Sequence, residues 1–437
     1  MQNFDNRQTL EPLSMICSHH NFFQNAPDLI SRDIFTCCFM GDSEIKLISG
    51  PTHAGKTTFM SQVASNLVGV KIYIDFEDSQ VRALGPGDLQ AIEETAAEIR
   101  KKETEDGAGR VFYFFDEIQN LQGWENWVDR LHRQGAEIYL TSSRSKLINE
   151  FSSRFSGRSK ILRLFPFSFR EYLQIKGNRI AEPNFLTPSS SDELLCMFFQ
   201  YFENGGFPDV IKNNDISLSR KYFEEELQKG AAAGYDIQKL KKIAVFLISN
   251  MASEYSSDTL KKVSGLESEE LVDTYLDYLE DIFLLYRVPK HNNLQESGKE
   301  KDIPRKIYSG DTGIFKAVYP GYPDSLGLRF ENLVFLELLR REKQVFYFRN
   351  KRECDFVTKE KDSQNVSAAI QVSVCFGNPV VREREILGLT EALDEYGLEE
   401  GLILTMDEEE IIIADSKDGK KIIMVKSVWK WMLEYRK

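Results

Sequence analysis

The run Gly50-Pro51-Thr52-His53-Ala54-Gly55-Lys56-Thr57-Thr58 decides how this chain is read. It fits the phosphate-binding pattern G-x-x-x-x-G-K-[ST] at every fixed position. Its surroundings fit as well: the apolar run Ile45-Lys46-Leu47-Ile48 precedes it, and a helical period (Phe59, Met60, Val63, Ala64, Leu67) follows. Glycine lets a backbone curl round an anion so that several N–H groups converge on it, backed by the positive end of a helix dipole. In such a loop Lys56 reaches the β- and γ-phosphates of a nucleoside triphosphate. The Thr57 hydroxyl completes the coordination shell of a Mg²⁺. His53 contributes its backbone N–H, and its imidazole is expected in solvent.

Outward from the loop, strand-like runs at 44–49, 71–76, 111–115, 137–141 and 160–164 alternate with helical periods. Near-continuous apolar strands with helices between them indicate an α/β fold, a parallel sheet covered on both faces. Ligands of such sheets bind beyond the carboxyl ends of the strands. The third run closes in Asp116-Glu117. Asp116 is placed to hold Mg²⁺ and Glu117 to orient or deprotonate an attacking water; the same pair can instead cap a following helix. The fourth run ends Thr141-Ser142-Ser143-Arg144, where a hydroxyl can sense a γ-phosphate or serve as a helix N-cap. Asp75 closes the second run and reads as an ordinary strand-end acid. Arg154 and Arg158 precede the fifth run, in a position to meet a γ-phosphate or to lie in solvent.

The bulk numbers set the frame. A chain of 437 residues suggests about three domains. With 42% hydrophobic and 28% charged residues, it has the composition of a globular protein. No apolar run approaches the ~20 residues that span a bilayer, and the first residues lack the order of a signal peptide. Cysteines 17, 37, 38, 196, 354 and 375 form no C-x-x-C pair, so neither zinc nor a disulfide framework is suggested. The expected location is the cytoplasm. A net charge of −13 disfavours wholesale coating of DNA.

These and further segments resemble the prokaryotic AAA-family ATPases whose C-terminal domain of unknown function is related to PD-(D/E)XK nucleases. The matching stretches begin with Gly-Pro-x-x-Ala-Gly-Lys-Thr-Thr at 50–58, Phe-Phe-Asp-Glu-Ile-Gln at 114–119 and Pro-Phe-Ser-Phe-Arg-Glu-Tyr-Leu at 166–173. They continue with Gly-Gly-Phe-Pro-Asp-Val at 205–210, Tyr-Leu-Asp-Tyr-Leu-Glu-Asp-Ile-Phe-Leu at 275–284 and Ile-Tyr-Ser-Gly-Asp-Thr-Gly at 307–313. Arg-Phe-Glu-Asn-Leu-Val-Phe-Leu-Glu-Leu at 329–338 completes them. The resemblance implies an ATPase core using ATP and Mg²⁺, a winged-helix-like middle and a nuclease-like C-terminal fold. It places the family's catalytic glutamate on Glu117 and its sensor on Thr141 or Ser142. His53 departs from the longer polar or basic residue usual in relatives.

The expected organisation is an N-terminal helical extension (1–43), an ATPase domain with adaptor (44–212), a winged-helix-like domain (213–310) and a nuclease-like domain (311–437). Residues 34–40 read as a packed helix, and 187–191 (Thr-Pro-Ser-Ser-Ser) as a loop. Phe165, Phe167, Phe169, Tyr172 and Leu173 are expected to pack against the ATPase domain. In the middle region the order is helix 240–251, helix 258–264, helix 268–281 and strands 283–288 and 305–309, which fits a winged helix. Its third helix is acidic, the wrong sign for phosphates. Lys261, Lys262, Arg287, Lys290, Arg305 and Lys306 are the basic groups nearby. Further on, Glu331, Asp355 and Gln371 fall in nuclease-like order, with Glu353 close by. Gln371 is neutral, however, and Ser373 stands where such a site needs lysine, so a vestigial site kept as a scaffold is favoured. Three functions follow: an ATPase driving conformational change, an ATP-regulated DNA-binding or nuclease protein, and a slow switch that docks a protein partner. An arginine acting across a subunit boundary would require an oligomer.

Overall fold

Buried along its whole length, β1 (Ile45–Ser49) sets the plan of the first part of the chain. Successive strand residues point to opposite faces. Ile45 and Leu47 join a cluster with Ile72, Ile74, Phe115, Trp124 and Trp127, while Ile48 joins a second cluster with Phe59, Met60, Val63 and Tyr139. Both faces are therefore covered, as the run of apolar strand residues predicts. Lys46 interrupts that run, yet it is fully buried, its Nζ lying 4.9 Å from the Tyr139 ring centre and donating to Glu44 O.

The computed structural model describes residues 30, 32–33, 44–82, 88–103, 109–177, 188–291, 304–319 and 326–434. They divide into two units between Phe165 and Pro166. After β1 the first unit runs α1 (Lys56–Ser65), β2 (Val70–Asp75), α2 (Ser79–Arg82), α3 (Asp88–Glu103), β3 (Val111–Asp116) and α4 (Trp124–Arg133). β4 (Glu137–Ser142), α5 (Lys146–Arg154) and β5 (Ser159–Arg163) complete it. The five strands form a parallel sheet ordered β2-β3-β4-β1-β5, each within a residue or so of the run expected from sequence. Parallel register brings the strand ends to one edge: Asp75 pairs with Asp116, and Ser49 with Ser142 and Arg163. Because β4 lies between β1 and β3, its last residues separate the glycine loop from the two acids.

The second unit begins with α6 (Phe169–Ile175), α7 (Pro188–Asn204), α8 (Pro208–Asn213), α9 (Ser217–Ala232), α10 (Ile237–Ser249), α11 (Ser257–Ser264) and α12 (Glu269–Asp281). An antiparallel pair, β6 (Leu285–Pro289) and β7 (Arg305–Ser309), follows, then α13 (Thr312–Val318) and α14 (Leu326–Arg340). Next come β8 (Gln344–Arg349), β9 (Glu353–Lys359), β10 (Val366–Ser373), α15 (Pro379–Tyr396), β11 (Glu400–Thr405), β12 (Glu410–Ser416), β13 (Gly419–Ser427) and α16 (Val428–Leu433). The last six strands make a mixed sheet ordered β12-β13-β11-β10-β9-β8.

Several expectations change here. Residues 166–212, expected as an adaptor of the ATPase domain, fall within the second compact unit. The reason is local: Phe167 N donates to Gly206 O, the Tyr201 hydroxyl donates to Phe167 O, and Phe169 packs on Phe198 and Tyr201 of α7. The expected break at 310 is bridged too, since Tyr308 stacks on Phe335 at 4.4 Å and Ser309 exchanges hydrogen bonds with Asn332. Residues 188–191 begin α7 instead of a loop, because proline's fixed φ suits the first turn of a helix. The helix expected at 34–40 lies outside the described residues. Among those described, no helix is long and apolar enough to cross a membrane.

Candidate functional site

The glycine loop leaves β1 at Gly50, whose N–H donates to Ser142 O at 3.1 Å. Here a side chain has no room: a Cβ would lie 1.9 Å from Leu164 O. The loop closes at Gly55 in the left-handed region (φ 92), which only glycine adopts cheaply, and α1 begins at Lys56. His53 is left-handed as well (φ 65) and half-buried, so its imidazole is not simply in solvent. Pro51, Thr52, Ala54 and Thr58 complete the turn and the start of α1.

Asp116, 3% exposed at the tip of β3, is gripped by three hydroxyls. Thr57 donates to Oδ2 at 2.6 Å and Tyr73 to the same oxygen at 2.9 Å, while Thr141 donates to Oδ1. Burial and the neighbouring Glu117 charge push its carboxyl above the usual range, against the hydroxyl bonds and Lys56. Asp75 is pushed up to about 6, chiefly by burial, and its Oδ1 accepts the Glu77 N–H; it closes its own turn, as a strand-end acid does.

Glu117 leaves the strand in a left-handed conformation (φ 49), a strained one for a side-chain-bearing residue, which turns its carboxylate toward the loop. Lys56 Nζ lies 3.1 Å from its Oε1 and also donates to Pro51 O at 3.1 Å. Oε2 accepts from Ser143 N at 3.0 Å, Ser143 Oγ at 2.8 Å and Gln119 Nε2. Burial opposes this charge, but Lys56 and these donors outweigh it and hold the carboxyl down to about 2. The lysine and the glutamate thus neutralise one another.

Of the expected sensor hydroxyls, Thr141 donates to Asp116 and accepts the Glu117 N–H at 2.9 Å, and Ser142 Oγ accepts the Arg144 N–H. The hydroxyl on the glutamate belongs to Ser143. Ser143 lies in the strand-end run singled out for its hydroxyls, whereas Tyr73, inside β2, and Gln119, in the turn after β3, went unread. Arg154 and Arg158 are not brought to the loop: Arg154 donates to Asn126 Oδ1 at 2.7 Å and Arg158 to Asp129 Oδ1 at 2.8 Å, both on α4.

The residues of this site fit a nucleoside triphosphate with Mg²⁺. The Thr52 hydroxyl is buried in the loop without a hydrogen-bond partner, and Thr57 and Asp116 make an all-oxygen donor pair, which suits a hard cation that keeps most of its waters.

In the second unit a cleft of about 710 Å³ gathers Glu331, Glu353, Asp355, Gln371, Ser373 and Glu385. Gln371 is engaged within the protein: its Oε1 accepts Asp355 N at 3.1 Å and its Nε2 donates to Glu385. The lysine lacking at Ser373 has a counterpart from elsewhere. Lys306 of β7, 3% exposed, lies 3.2 Å from Glu331 and 2.6 Å from Glu353. Its ammonium is held well above the ordinary lysine range, burial being outweighed by Glu331, Asp355 and Glu353. Among the described residues no group of three or more His, Cys, Asp or Glu is placed to hold a metal ion.

Comparison with known proteins agrees with the first unit and leaves the second open. Residues 42–173 match the family described as an AAA domain, and residues 197–329 match a domain of unknown function (DUF8612). An uncharacterized protein of Methanocaldococcus jannaschii is 29% identical over 414 residues, covering 90% of this chain and 89% of that one. One of Haemophilus influenzae is 27% identical over 337 residues, covering 73% and 80%. Among solved structures, C. elegans PCH-2 has a TM-score of 0.30 and 14% identity over 47% of this chain and 59% of that chain. The Thermotoga maritima RuvB Holliday junction branch migration motor has a TM-score of 0.28 and 16% identity over 64% and 94%. Residues 42–173 thus match the AAA domain family, and the part of them that lies in the first unit carries a glycine loop on a five-stranded parallel sheet typical of P-loop nucleotide-binding domains.

Proposed function

We propose that this chain binds ATP with Mg²⁺, hydrolyses it, and uses the nucleotide cycle to change the conformation of its second unit. The observation that supports this most is the 2.6 Å bond between Thr57 and Asp116, residues from separate motifs that suit one cation. Gly50, Pro51, Thr52, His53, Ala54, Gly55, Lys56, Thr57 and Thr58 would hold the phosphates, with Thr57 and Asp116 on the metal. A bound Mg²⁺ would supply neutralisation of the phosphate charge. Lys56, drawn to the phosphates, leaves Glu117 with Ser143 and Gln119, free to take a proton from water. Phosphate release measured with Mg²⁺ and with EDTA tests the reading; magnesium-independent release, or none, refutes it.

Within the chain Arg154 and Arg158 are bonded to α4, which supports their acting on a γ-phosphate from a neighbouring subunit. Specific activity should then rise with protein concentration, and R154A or R158A should lower it ~10³-fold or more at saturating protein. A concentration-independent rate removes both from catalysis.

In the second unit, α10, α11, α12 and the β6–β7 pair fit a winged helix, and we assign it to protein docking. Arg287 is bonded to Asp277 and Glu280, and Lys261 to Asp258 and Glu269, so these cations are already matched by acids. A second reading, ATP-regulated DNA cleavage, is favoured by Lys306 alone, which brings a cation to Glu331 and Glu353. Against it, Gln371 is a neutral ligand engaged with Asp355 and Glu385, and among the described residues no group of three or more His, Cys, Asp or Glu is placed to hold a metal ion. Incubation with single- and double-stranded DNA and Mg²⁺ or Mn²⁺ should give no cleavage. Cleavage abolished by Asp355→Ala would establish the second reading.

A further inference from the structure

We propose that Arg32 is a positioning residue of the nucleotide site, aiming the phosphate loop and tying it to the segment that leaves the domain. The inference rests on the nucleotide reading above. Arg32 is 7% exposed. Its Nη1 donates to Ala54 O at 3.0 Å and its Nη2 to Phe165 O at 2.6 Å. A guanidinium is a rigid planar fork, so it fixes the two carbonyls relative to one another, as an ammonium cannot. Upstream the segment is pinned too, Gln62 Nε2 of α1 donating to Ile30 O at 2.7 Å.

The Ala54 carbonyl carries the first half of the inference. A trans peptide is planar, so Ala54 C=O and Gly55 N–H point in opposite directions. Holding the carbonyl on Arg32 therefore turns the Gly55 N–H to the opposite side of the peptide. Left-handed residues on either side, His53 (φ 65) and Gly55 (φ 92), bend this stretch into the kind of concavity whose N–H groups receive an anion. Arg32 thus orients the loop's inner surface from behind it, without touching the phosphates.

The Phe165 carbonyl carries the second half. Leu164 N donates to Ser49 O at 2.8 Å, and Gly50 rests so closely on Leu164 O that no Cβ fits between them. One end of the loop sits on Leu164, and the other is bridged by Arg32 to Phe165, after which the second unit begins. A loop that tightens on a triphosphate carries these two residues with it.

Amide hydrogen exchange of peptides covering Leu164 and Phe165, with and without saturating Mg-ATP, tests this on the full chain. It is read in wild type, Arg32→Lys and Arg32→Gln, with Lys56→Ala at the same ATP concentration as the weak-binding reference. In wild type the nucleotide should slow exchange at Leu164. Arg32→Gln should weaken ATP binding by ~10-fold or more, the scale of losing a charge-assisted hydrogen bond. Arg32→Lys keeps the charge but not the fork: it should recover part of the affinity and none of the exchange response. Wild-type exchange indifferent to bound ATP overturns the coupling whether or not the variants fold. Arg32→Lys that binds and responds like wild type overturns the positioning role. Wild type that binds no ATP removes the nucleotide reading itself, a separate result.

Discussion

Glu117→Gln should still bind ATP within a few-fold of wild type but turn it over at least ~100-fold more slowly, the scale of losing a general base. The amide keeps the shape of the carboxylate, and its oxygen can accept the same Ser143 N–H and hydroxyl at 3.0 and 2.8 Å. What it loses is basicity and the pairing with Lys56 at 3.1 Å. Steady-state phosphate release beside a fluorescent-nucleotide titration separates the two parameters. Undiminished turnover would remove Glu117 from the mechanism. A pH signature accompanies the rate. With its pKa held down to about 2, the ionised Glu117 stabilises the ligand-free fold above the unfolded value of ~4.3, and that stabilisation is lost as pH falls toward 2. The variant's melting temperature should therefore fall less than wild type's over that interval.

Lys56→Ala should lower ATP affinity by ~100-fold or more, since a charge-assisted hydrogen bond contributes about 1.5–3 kcal/mol and this lysine would serve two phosphates. It should also destabilise the ligand-free protein. Lys56 is 4% exposed and Glu117 correspondingly buried, so removing the ammonium strands a charge. The penalty should fall below the ~3–5 kcal/mol of a bare buried pair, because Ser143 and Gln119 still donate to the carboxylate. Isothermal titration with Mg-ATP and a thermal melt read the two effects separately. Binding at wild-type strength in Lys56→Ala would move the nucleotide away from this loop, and the catalytic roles of Asp116 and Glu117 would go with it.

The order of elements in the first unit was legible in the residues. Five apolar runs, each short and nearly continuous, can be stable only as strands covered on both faces, and the glycine pattern sets the turn after β1. The second unit was less legible. Its individual helices show in the spacing, but nothing local says that Tyr308 will stack on Phe335 and erase a boundary at 310. Nor does residue order tell that a lysine near the expected wing, Lys306, will lie among Glu331, Glu353 and Asp355.

By itself the sequence determined the backbone chemistry of the loop and the residue types of the site, because a glycine turn and a strand-end pair of acids are contiguous and their function depends on local geometry. Only the tertiary structure decided which distant groups meet them. Strand order inserts β4 between β1 and β3, so Thr141 reaches Asp116 and Ser143 reaches Glu117. The packed fold also lets Arg32, which holds Ala54, reach Phe165 across 133 residues of chain. Such partners carry no local signal, since a hydrogen bond depends on distance in space, which only the packed sheet supplies.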